Sequence, residues 1–254
     1  MSCNILITIC GRAGSKGLKN KNLKIFLGFP LIYYTLSAAM IFKESLPSDN
    51  KVDICLNTDS EELSEIVIRK YPEVKIIKRL PELSGDLVPK PAVWKNCVDT
   101  MQKVNGIFYD YMIDLDITSP LRQADDVFNA FHLKQSRMDA DLVESMCYSR
   151  RNPYFNMMQE DGRFVKTVID CSFVARQQAP VVYDENASIY VLNSRYFIEN
   201  GDGMKYVKTI PYIMRDTAVL DIDSEDDFIM MEVVGKYLYE NEESYKKVRD
   251  NIRN

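Results

Sequence analysis

A glycine-rich loop with four basic side chains follows the first apolar run of the chain. The run is NILITIC, residues 4–10, and the loop is GRAGSKGLKNKN, residues 11–22. The four cations of the loop are Arg12, Lys16, Lys19 and Lys21. Backbone N–H groups of such a turn, together with these charges, suit a phosphate. The sequence therefore predicts a phosphate-binding loop, with a basic surface loop as the alternative.

The loop is not one of the common nucleotide-binding motifs. A P-loop has the spacing G-x-x-x-x-G-K-[ST], and here the position five after Gly11 is Lys16. The dinucleotide-binding spacing G-x-G-x-x-G is also absent, because Gly11 and Gly14 are three residues apart. A phosphate-binding loop of another kind is expected.

Two carboxylates near the other end of the chain could hold a metal ion. Asp221 and Asp223 are separated by one residue on a predicted strand, so both side chains are expected on one side, just before a helix. Hard oxygen ligands of this kind suit Mg²⁺ or Mn²⁺, which takes substrate phosphates as further ligands. Asp223 or a water on the metal is the candidate general base, and Ser224 is expected to cap the helix.

The charges of the two ends favour a meeting of these segments. No Asp or Glu occurs before Glu44, whereas the stretch from Asp221 to Glu243 is crowded with acids. The basic loop and the acidic segment are therefore expected to meet around a metal-bound polyphosphate, with an uneven solvated surface as the alternative. Asp114 and Asp116 repeat the one-residue spacing and form a candidate second metal site.

The remaining residues exclude several classes of chemistry. His132, the one histidine, lies in a predicted helix, and no Ser-His-Asp or Cys-His arrangement is recognisable. A net charge of −5 over 254 residues argues against general nucleic-acid binding.

Cysteine spacing and hydropathy indicate a cytoplasmic protein. The six cysteines show neither a CxxC pair nor zinc spacing, and several lie in apolar runs, which fits a reducing cytosol. The first apolar run is too short for a signal peptide. No run approaches the roughly 20 apolar residues that span a membrane.

Strand, loop and helix alternate four times in the first 150 residues. Strands are predicted for residues 4–10 and for VDICLN, VKIIKR, YDYMIDLD and ADLVESMCYS. Helices are predicted for PLIYYTLSAAMIFKESL, for TDSEELSEIVIRKY, for a segment ending at about residue 104, and for QADDVFNAFHLKQ. This alternation is typical of an α/β fold with a mostly parallel sheet and helices on both faces. Ligands of such sheets bind beyond the carboxyl ends of the strands, where the loops described above lie.

The pattern changes after residue 150. Residues 152–169 alternate around the turn sequence EDG, which predicts a β-hairpin. Residues 187–193, ASIYVLN, are predicted to return to the sheet, and VLDIDSEDDF to lead into a final helix ending at about residue 240. The hairpin's apolar residues favour a protein interface, with packing on its own sheet as the alternative; they are Tyr154, Phe155, Met157 and Met158.

Taken together, the motifs resemble those of the CMP-sialic acid synthetases, cytidylyltransferases that activate nine-carbon sialic acids. GRAGSKGLKNKN is similar to the family's Arg, Gly-Ser-Lys-Gly and Lys-Asn signature. Further similar motifs follow in the family's order: NTDSEEL, RLPELSGD, TSPLR, RQQAPVVYDENASIYV and DIDSEDDF. The segments DLDITSPLR, RRNPYFN and YDENASIY resemble the bacterial branch that activates legionaminic acid.

The resemblance implies a fold and a reaction. The fold would be a three-layer α/β/α nucleotidyltransferase of the nucleotide-diphospho-sugar transferase type, in one domain over residues 1–254. Residues 150–185 would be a β-hairpin insertion that forms a homodimer. The reaction would join CTP to a nonulosonic acid, N,N′-diacetyllegionaminate or N-acetylneuraminate, with release of pyrophosphate. The anomeric C2 hydroxyl would attack the α-phosphorus with the assistance of Mg²⁺.

The family pattern also implies roles for individual residues. Around the CTP phosphates and ribose it places Arg12, Ser15, Lys16, Lys21 and Asn22. Near the cytosine and ribose it places Arg79 and Ser84. Around the sugar acid it places Asp116, Arg176, Gln177 and Tyr190, and the Arg176 guanidinium suits the C1 carboxylate. Metal binding would fall to Asp221 and Asp223, and catalysis to Arg12, Lys16, Lys21 and Asp223.

Two positions depart from the family pattern. Typical sialic-acid members have Gln at the position of Asp116, and a carboxylate accepts hydrogen bonds where an amide also donates them. This departure favours legionaminate over N-acetylneuraminate. Ala187 stands where the family has Gly, which makes a close backbone approach there less expected.

Other functions are compatible with parts of the sequence. A synthetase for pseudaminate or for the eight-carbon acid of lipopolysaccharide is the near alternative, although the Gln-Gly-Asp-Glu-Pro loop of the latter is absent. A metal-dependent glycosyltransferase would use the DLD segment, residues 114–116, and would not need the GSKG loop. A non-catalytic binding module predicts loss of the phosphate or metal residues, and these are present.

Overall fold

A computed structural model describes residues 2–14, 17–85, 87–200 and 207–253, without the side chains of Arg176 and Ile198. Its strands are β1 (Asn4–Cys10), β2 (Ile25–Phe26), β3 (Phe29–Pro30), β4 (Lys51–Thr58), β5 (Lys75–Lys78), β6 (Tyr111–Leu115), β7 (Leu142–Tyr148), β8 (Met158–Asp161), β9 (Phe164–Thr167), β10 (Tyr183–Asn193) and β11 (Thr209–Ile213). Its helices are α1 (Leu31–Ser45), α2 (Glu61–Lys70), α3 (Lys90–Asn105), α4 (Asp126–Ser136), α5 (Arg195–Asn200), α6 (Glu225–Asn241) and α7 (Glu243–Asp250).

A seven-stranded sheet forms the centre of the described chain, in the order β11-β7-β10-β6-β1-β4-β5. Strands β6, β1, β4 and β5 run parallel to one another, and β11 runs parallel to β7. Strand β10 is antiparallel to both β6 and β7. The predicted mostly parallel sheet is therefore confirmed, with β10 as the one strand of this sheet that reverses direction.

Helices cover both faces of the sheet, because successive residues of a strand point to opposite faces. In β1, Ile5, Ile7 and Ile9 pack in the larger core with α1, α2, α4, α6 and α7. Leu6 packs in the smaller core with α3 and α5. The predicted α/β/α layering is confirmed by these two cores.

Two predicted elements differ in extent from the observed ones, and the last helix was not predicted. The hairpin after residue 150 is confirmed, but its strands β8 and β9 are only four residues each. Strand β10 begins at Tyr183, earlier than the predicted residue 187. After the predicted final helix the chain turns at Glu242 and forms α7, which the sequence analysis did not include.

The predicted strand through Asp221 and Asp223 is wrong. The chain makes a helical turn at Asp216–Val219 and then passes the loop after β6, where the Ile222 N–H donates to the Thr118 carbonyl at 3.1 Å. That loop is itself irregular, so no ladder can continue beside it. The two carboxylates flank a buried Ile222 in a loop that leads into α6.

A buried guanidinium joins the elements around this loop. Arg122 donates to the Ser188 carbonyl at 2.8 Å, to the Thr35 hydroxyl at 3.1 Å and to the Asp116 carbonyl. These partners belong to β10, to α1 and to the end of β6. Burial lowers the pKa of Arg122 to about 10, so the group remains charged at neutral pH. The TSPLR segment therefore has a scaffolding function in this chain.

We expect Arg122→Leu to lower the free energy of unfolding by about 3 kcal/mol, because several buried carbonyl partners lose a charged donor. Urea titration followed by circular dichroism measures the change. The matched control is Arg137→Leu, which removes an exposed guanidinium paired with Asp139 and should change the free energy of unfolding much less. Equal losses for the two variants would contradict the scaffolding function.

Candidate active site

A row of polar side chains crosses the sheet near the carboxyl ends of its parallel strands. Thr8 pairs with Asp114, Asp114 with Tyr190, and Tyr190 with Glu144, so all four side chains point to the face that α3 covers. The Thr8 hydroxyl donates to Asp114 Oδ1 at 2.7 Å. One row nearer the amino ends, the same face is apolar, with Leu6, Met112, Leu192 and Leu142. The change from apolar to polar marks where the core ends and the site begins.

The glycine loop folds against the acidic segment. A Cβ atom added to Gly17 would lie 2.1 Å from the Asp223 carbonyl oxygen, so only glycine allows this approach. The Lys21 ammonium donates to the Asp223 carboxylate at 2.8 Å and to the Ile222 carbonyl at 3.0 Å. Lys24 pairs with Glu225 at 2.6 Å. The expected meeting of the basic and acidic segments is confirmed.

Basic side chains line a cavity of about 240 Å³ beside this contact. Its cations are Arg12, Lys21, Arg79 and Lys90. Arg79 is held by Asn57 at the end of β4, with its Nε 2.7 Å from the Asn57 side-chain oxygen. Asn22 also lines the cavity and donates to the Arg12 carbonyl at 3.3 Å. A concentration of positive charge of this kind suits a polyphosphate.

The Lys90 ammonium lies against both carboxylates of the second acidic pair, Asp114 and Asp116. Its Nζ lies 2.6 Å from Asp116 Oδ2 and 3.5 Å from Asp114 Oδ2. Burial acts to lower the pKa of Lys90, but Asp116 and Asp114 outweigh it and raise that pKa. Burial likewise opposes ionisation of Asp116, yet Lys90 and Thr118 hold its pKa well below the usual range. The ammonium thus stands where the sequence analysis considered a second metal ion.

Asp221 and Asp223 lie in different surroundings. Asp221 Oδ1 is buried and has no hydrogen-bond partner. Burial, followed by the charge of Asp116, raises the pKa of Asp221. The Asp223 side chain is 75% exposed. Ser224 caps α6, because its side chain accepts from the Asp227 N–H while Asp227 accepts from the Ser224 N–H. Among the described residues, no group of three or more His, Cys, Asp or Glu is placed to hold a metal by itself.

The other predicted site residues are not all brought to this cavity. Ser84 lies between two residues of the cavity wall, Leu83 and Gly85, with its hydroxyl donating to the Leu80 carbonyl. Gln177 lines a different cavity, with Tyr148 and Ser149. Ser15, Lys16 and the Arg176 side chain lie outside the described part of the chain.

Two residues of the polar face were missed by the sequence analysis. Lys90 is the first residue of α3, where the helix dipole disfavours a cation. That conflict was a usable signal of an acidic partner. Glu144 is a charged residue in the middle of the buried strand β7, which is also unusual. Both signals can be read from the sequence once the helix and strand are assigned.

Two smaller predictions have clear outcomes. Ala187 adopts a left-handed φ of 51° at a bulge of β10, a conformation that favours the glycine found in the family pattern. His132 lies in α4, with its ring centroid 4.2 Å from the Phe128 ring centroid, and is exposed, as expected for a structural or surface residue.

No helix in the described ranges is long and apolar enough to cross a membrane.

Comparison with known proteins identifies the family to which this chain belongs. Residues 6–87 match the family model described as cytidylyltransferase. Post-translational flagellin modification protein B of Campylobacter coli is 34% identical over 236 residues, which cover 91% of this chain and 95% of that protein. The CMP-N,N′-diacetyllegionaminic acid synthase of Campylobacter jejuni is 33% identical over 231 residues, covering 90% and 93%.

A solved structure shares the fold. The CMP:2-keto-3-deoxy-manno-octonic acid synthetase complexed with CTP has a TM-score of 0.62 and covers 91% of this chain and 98% of its own. At 12% identity the likeness concerns the fold alone. The predicted nucleotidyltransferase architecture is confirmed.

We expect the stability of the protein to fall as the pH rises from about 5 to 8, in part because of Glu144. Burial, with the neighbouring Glu185 charge, raises the pKa of Glu144 from 4.5 to about 7, although Tyr190 and Lys90 act in the opposite direction. The folded protein therefore holds a proton that the unfolded chain has lost, and this stabilisation disappears as the pH passes 7.

Removing the carboxyl tests this expectation. In Glu144→Gln the loss of unfolding free energy between pH 5 and pH 8 should be smaller than in the parent by roughly 2 to 3 kcal/mol. Urea unfolding at the two pH values provides the measurement. Glu160→Gln, on an exposed strand of the hairpin, serves as the control and should follow the parent. A parent-like pH dependence in Glu144→Gln would contradict the argument.

Proposed function

We propose that this chain, which belongs to the cytidylyltransferase family, activates a nonulosonic acid by transferring the CMP group of CTP to it. It is a nucleotidyltransferase related to CMP-sugar synthetases. Within that class, the similarity to the Campylobacter jejuni synthase over almost the whole length of both chains supports N,N′-diacetyllegionaminate as the substrate. N-acetylneuraminate is the second candidate.

The observation that carries this proposal is the meeting of cations and carboxylates at one edge of the sheet. Lys21 bonds Asp223, and Arg12 and Arg79 line the same cavity as Lys21. A triphosphate bound there would exchange these internal ion pairs for contacts to its own oxygens. We assign the phosphates to Arg12, Lys21 and Asn22, together with Ser15 and Lys16 of the same loop.

The reaction needs charge neutralisation more than covalent chemistry. The sugar C2 hydroxyl oxygen forms a bond to the α-phosphorus, and the bond from that phosphorus to the bridging oxygen of pyrophosphate breaks. Negative charge develops on the leaving pyrophosphate, where Arg12, Lys16 and Lys21 would stabilise it. Asp223 is the candidate acceptor of the hydroxyl proton, because its carboxylate is exposed at the edge of the site.

A divalent cation fits the acidic segment. Asp221 Oδ1 is a buried oxygen without a hydrogen-bond partner, and Asp223 offers a second hard oxygen nearby. Asp221 and Asp223 would hold Mg²⁺ or Mn²⁺, with phosphate oxygens as the remaining ligands. The cation would neutralise charge on the α-phosphate and leaving group.

The remaining assignments follow the family pattern. Arg79 and Ser84 would lie near the cytosine and ribose. Asp116 and Tyr190 would border the sugar acid, and Arg176 and Gln177 would bind its carboxylate. Gln177 lines a different cavity from Arg79 and Lys90, which supports a role for Gln177 at the sugar of another protomer. A cytoplasmic location fits the six free cysteines.

Pyrophosphate release measures the proposed reaction directly. The purified protein, CTP and Mg²⁺ are incubated with N,N′-diacetyllegionaminate or N-acetylneuraminate in parallel. We expect turnover with both and a higher kcat/KM for the diacetyl acid. A preference for N-acetylneuraminate would exclude the legionaminate assignment and keep the reaction class. Turnover with the eight-carbon acid alone, or with no acid, would contradict the proposed function.

A homodimer through residues 150–185 is the second part of the proposal. This segment exposes apolar side chains that a second copy could bury, including Phe164 at 67%, Val165 at 66% and Val174 at 90%. Val181 of the same segment and the neighbouring Tyr148 are also exposed. Burial of this surface would explain why a two-stranded hairpin persists outside the sheet.

We expect the parent protein to be a dimer at micromolar concentration and Phe164→Glu with Val165→Glu to be a monomer, because two buried carboxylates would oppose association. Size-exclusion chromatography with light scattering gives the masses. Met138→Glu is the control, since Met138 is 72% exposed outside the segment. A monomeric parent, or a dimeric double variant, would contradict the assignment of this interface.

A further inference from the structure

The ammonium of Lys90 faces the candidate sugar site and has no assigned part in the reaction so far. Its side chain is 32% exposed and lines the same cavity as Arg12, Lys21 and Arg79. The Nζ atom also lies 4.6 Å from the Tyr190 ring centroid. Lys90 is therefore fixed on one side by carboxylates and an aromatic ring, and is open on the other.

The hydrogen bonds of Asp116 show that the Lys90 ammonium, and not the Asp116 carboxylate, is the group presented to a ligand. Asp116 Oδ1 accepts from the Thr118 hydroxyl at 2.9 Å and from the Thr118 N–H at 3.2 Å. Asp116 Oδ2 accepts from Lys90 at 2.6 Å. Both oxygens are thus engaged within the protein. The family has Gln at the position of Asp116, and a carboxylate alone would offer a ligand only acceptors. Here Lys90 covers that carboxylate, so the ligand meets the Lys90 donor instead.

The charge of the cluster limits what Lys90 can bind. An ammonium has three donors, and here one is used at 2.6 Å and a second faces Asp114 at 3.5 Å. The Asp116 carboxylate already balances the positive charge of the Lys90 ammonium. Asp114 is either neutral or negative, so the cluster has no net positive charge. The cluster therefore attracts an additional carboxylate weakly. A neutral oxygen that only accepts hydrogen bonds is the better match for the remaining donor.

The surroundings of Lys90 favour an acyl group over a hydroxyl group. Tyr190 packs against Trp94 with ring centroids 5.0 Å apart, which forms an aromatic wall beside the ammonium. The carbonyl of an N-acyl group accepts without donating, and its methyl group is apolar. A hydroxyl can also accept from the ammonium, but it carries no apolar group to pack against the aromatic wall. An acylamino substituent therefore fits both the donor and the wall.

We propose that Lys90 determines sugar specificity by donating a hydrogen bond to the carbonyl oxygen of an N-acyl group of the sugar acid. Asp116 acts through Lys90 as a positioning residue that fixes the direction of this donor. Tyr190 contacts the acyl methyl group. This inference rests on the proposed function and adds the substrate feature that the site reads.

Steady-state kinetics with three sugar acids test the inference. Two of the acids, N,N′-diacetyllegionaminate and N-acetylneuraminate, carry N-acyl groups. The third is the analogue of N-acetylneuraminate in which a hydroxyl replaces the acylamino group. In Lys90→Met we expect kcat/KM for the acylated acids to fall roughly 10- to 100-fold, the usual effect of one hydrogen bond to a charged donor. The hydroxyl acid should lose much less, and the KM for CTP should stay within about twofold.

Two further variants separate specificity from folding. Lys90→Met leaves Asp116 without its main partner, so Lys90→Met with Asp116→Asn restores a neutral pair and should show the same loss of acyl preference. Lys95→Met is the matched control on the same helix, because Lys95 pairs only with the exposed Asp99 in the described contacts. This control should keep the parent's ratio of kcat/KM values.

The outcomes distinguish the inference from the proposed function. An equal loss for all three acids, or an unchanged preference in both Lys90 variants, would overturn the inference while the parent's turnover upholds the function. A raised KM for CTP alone would assign Lys90 to the phosphates and also overturn it. If calorimetry and turnover detect no interaction of the parent protein with any of the acids, the proposed function fails and the inference fails with it.

Discussion

The buried guanidinium of Arg122 is the interaction on which the geometry of the site depends. It joins the carbonyl groups of Asp116 and Ser188 to the hydroxyl of Thr35, at the place where the parallel strand β6 meets the antiparallel strand β10. Neither strand alone could fix the direction in which its terminal residues point. Because Asp116 is held there through its backbone, its carboxylate can hold Lys90, and the polar row beside Tyr190 keeps its position.

Charge compensation is the second principle of the site. Three described cations at the carboxyl edge of the sheet have an internal counter-charge or acceptor: Asp223 for Lys21, Asn57 for Arg79 and Asp116 for Lys90. Such pairing limits the repulsion that clustered cations would otherwise cause. The pair of Lys21 and Asp223 is open to water on the Asp223 side and is therefore weak, so the proposed triphosphate would displace it. The more enclosed pair of Lys90 and Asp116 is better suited to a fixed role in recognition.

The order of the elements and the location of the site were predictable from the sequence. Apolar runs identified the strands β1, β4 and β6, which are buried on both faces of the sheet, and the helical spacing of apolar residues identified the helices that follow them. A parallel sheet brings its strand ends to one edge, so residues as far apart as Arg12 and Arg79 could be expected near each other. The opposite charges of the two ends likewise indicated the contact between Lys21 and Asp223, which are 202 residues apart.

Only the tertiary structure decided which interaction partner each charged side chain has. Local pattern suggested a strand at 221–223, but the chain there passes an irregular loop and cannot form a ladder. Asp116 appeared from its type alone to be an open acceptor, yet Lys90, 26 residues earlier, covers it. The sequence thus determined the family and the fold class, since these depend on periodicity and motif. Partner choice depends on distances between elements, which no local pattern contains.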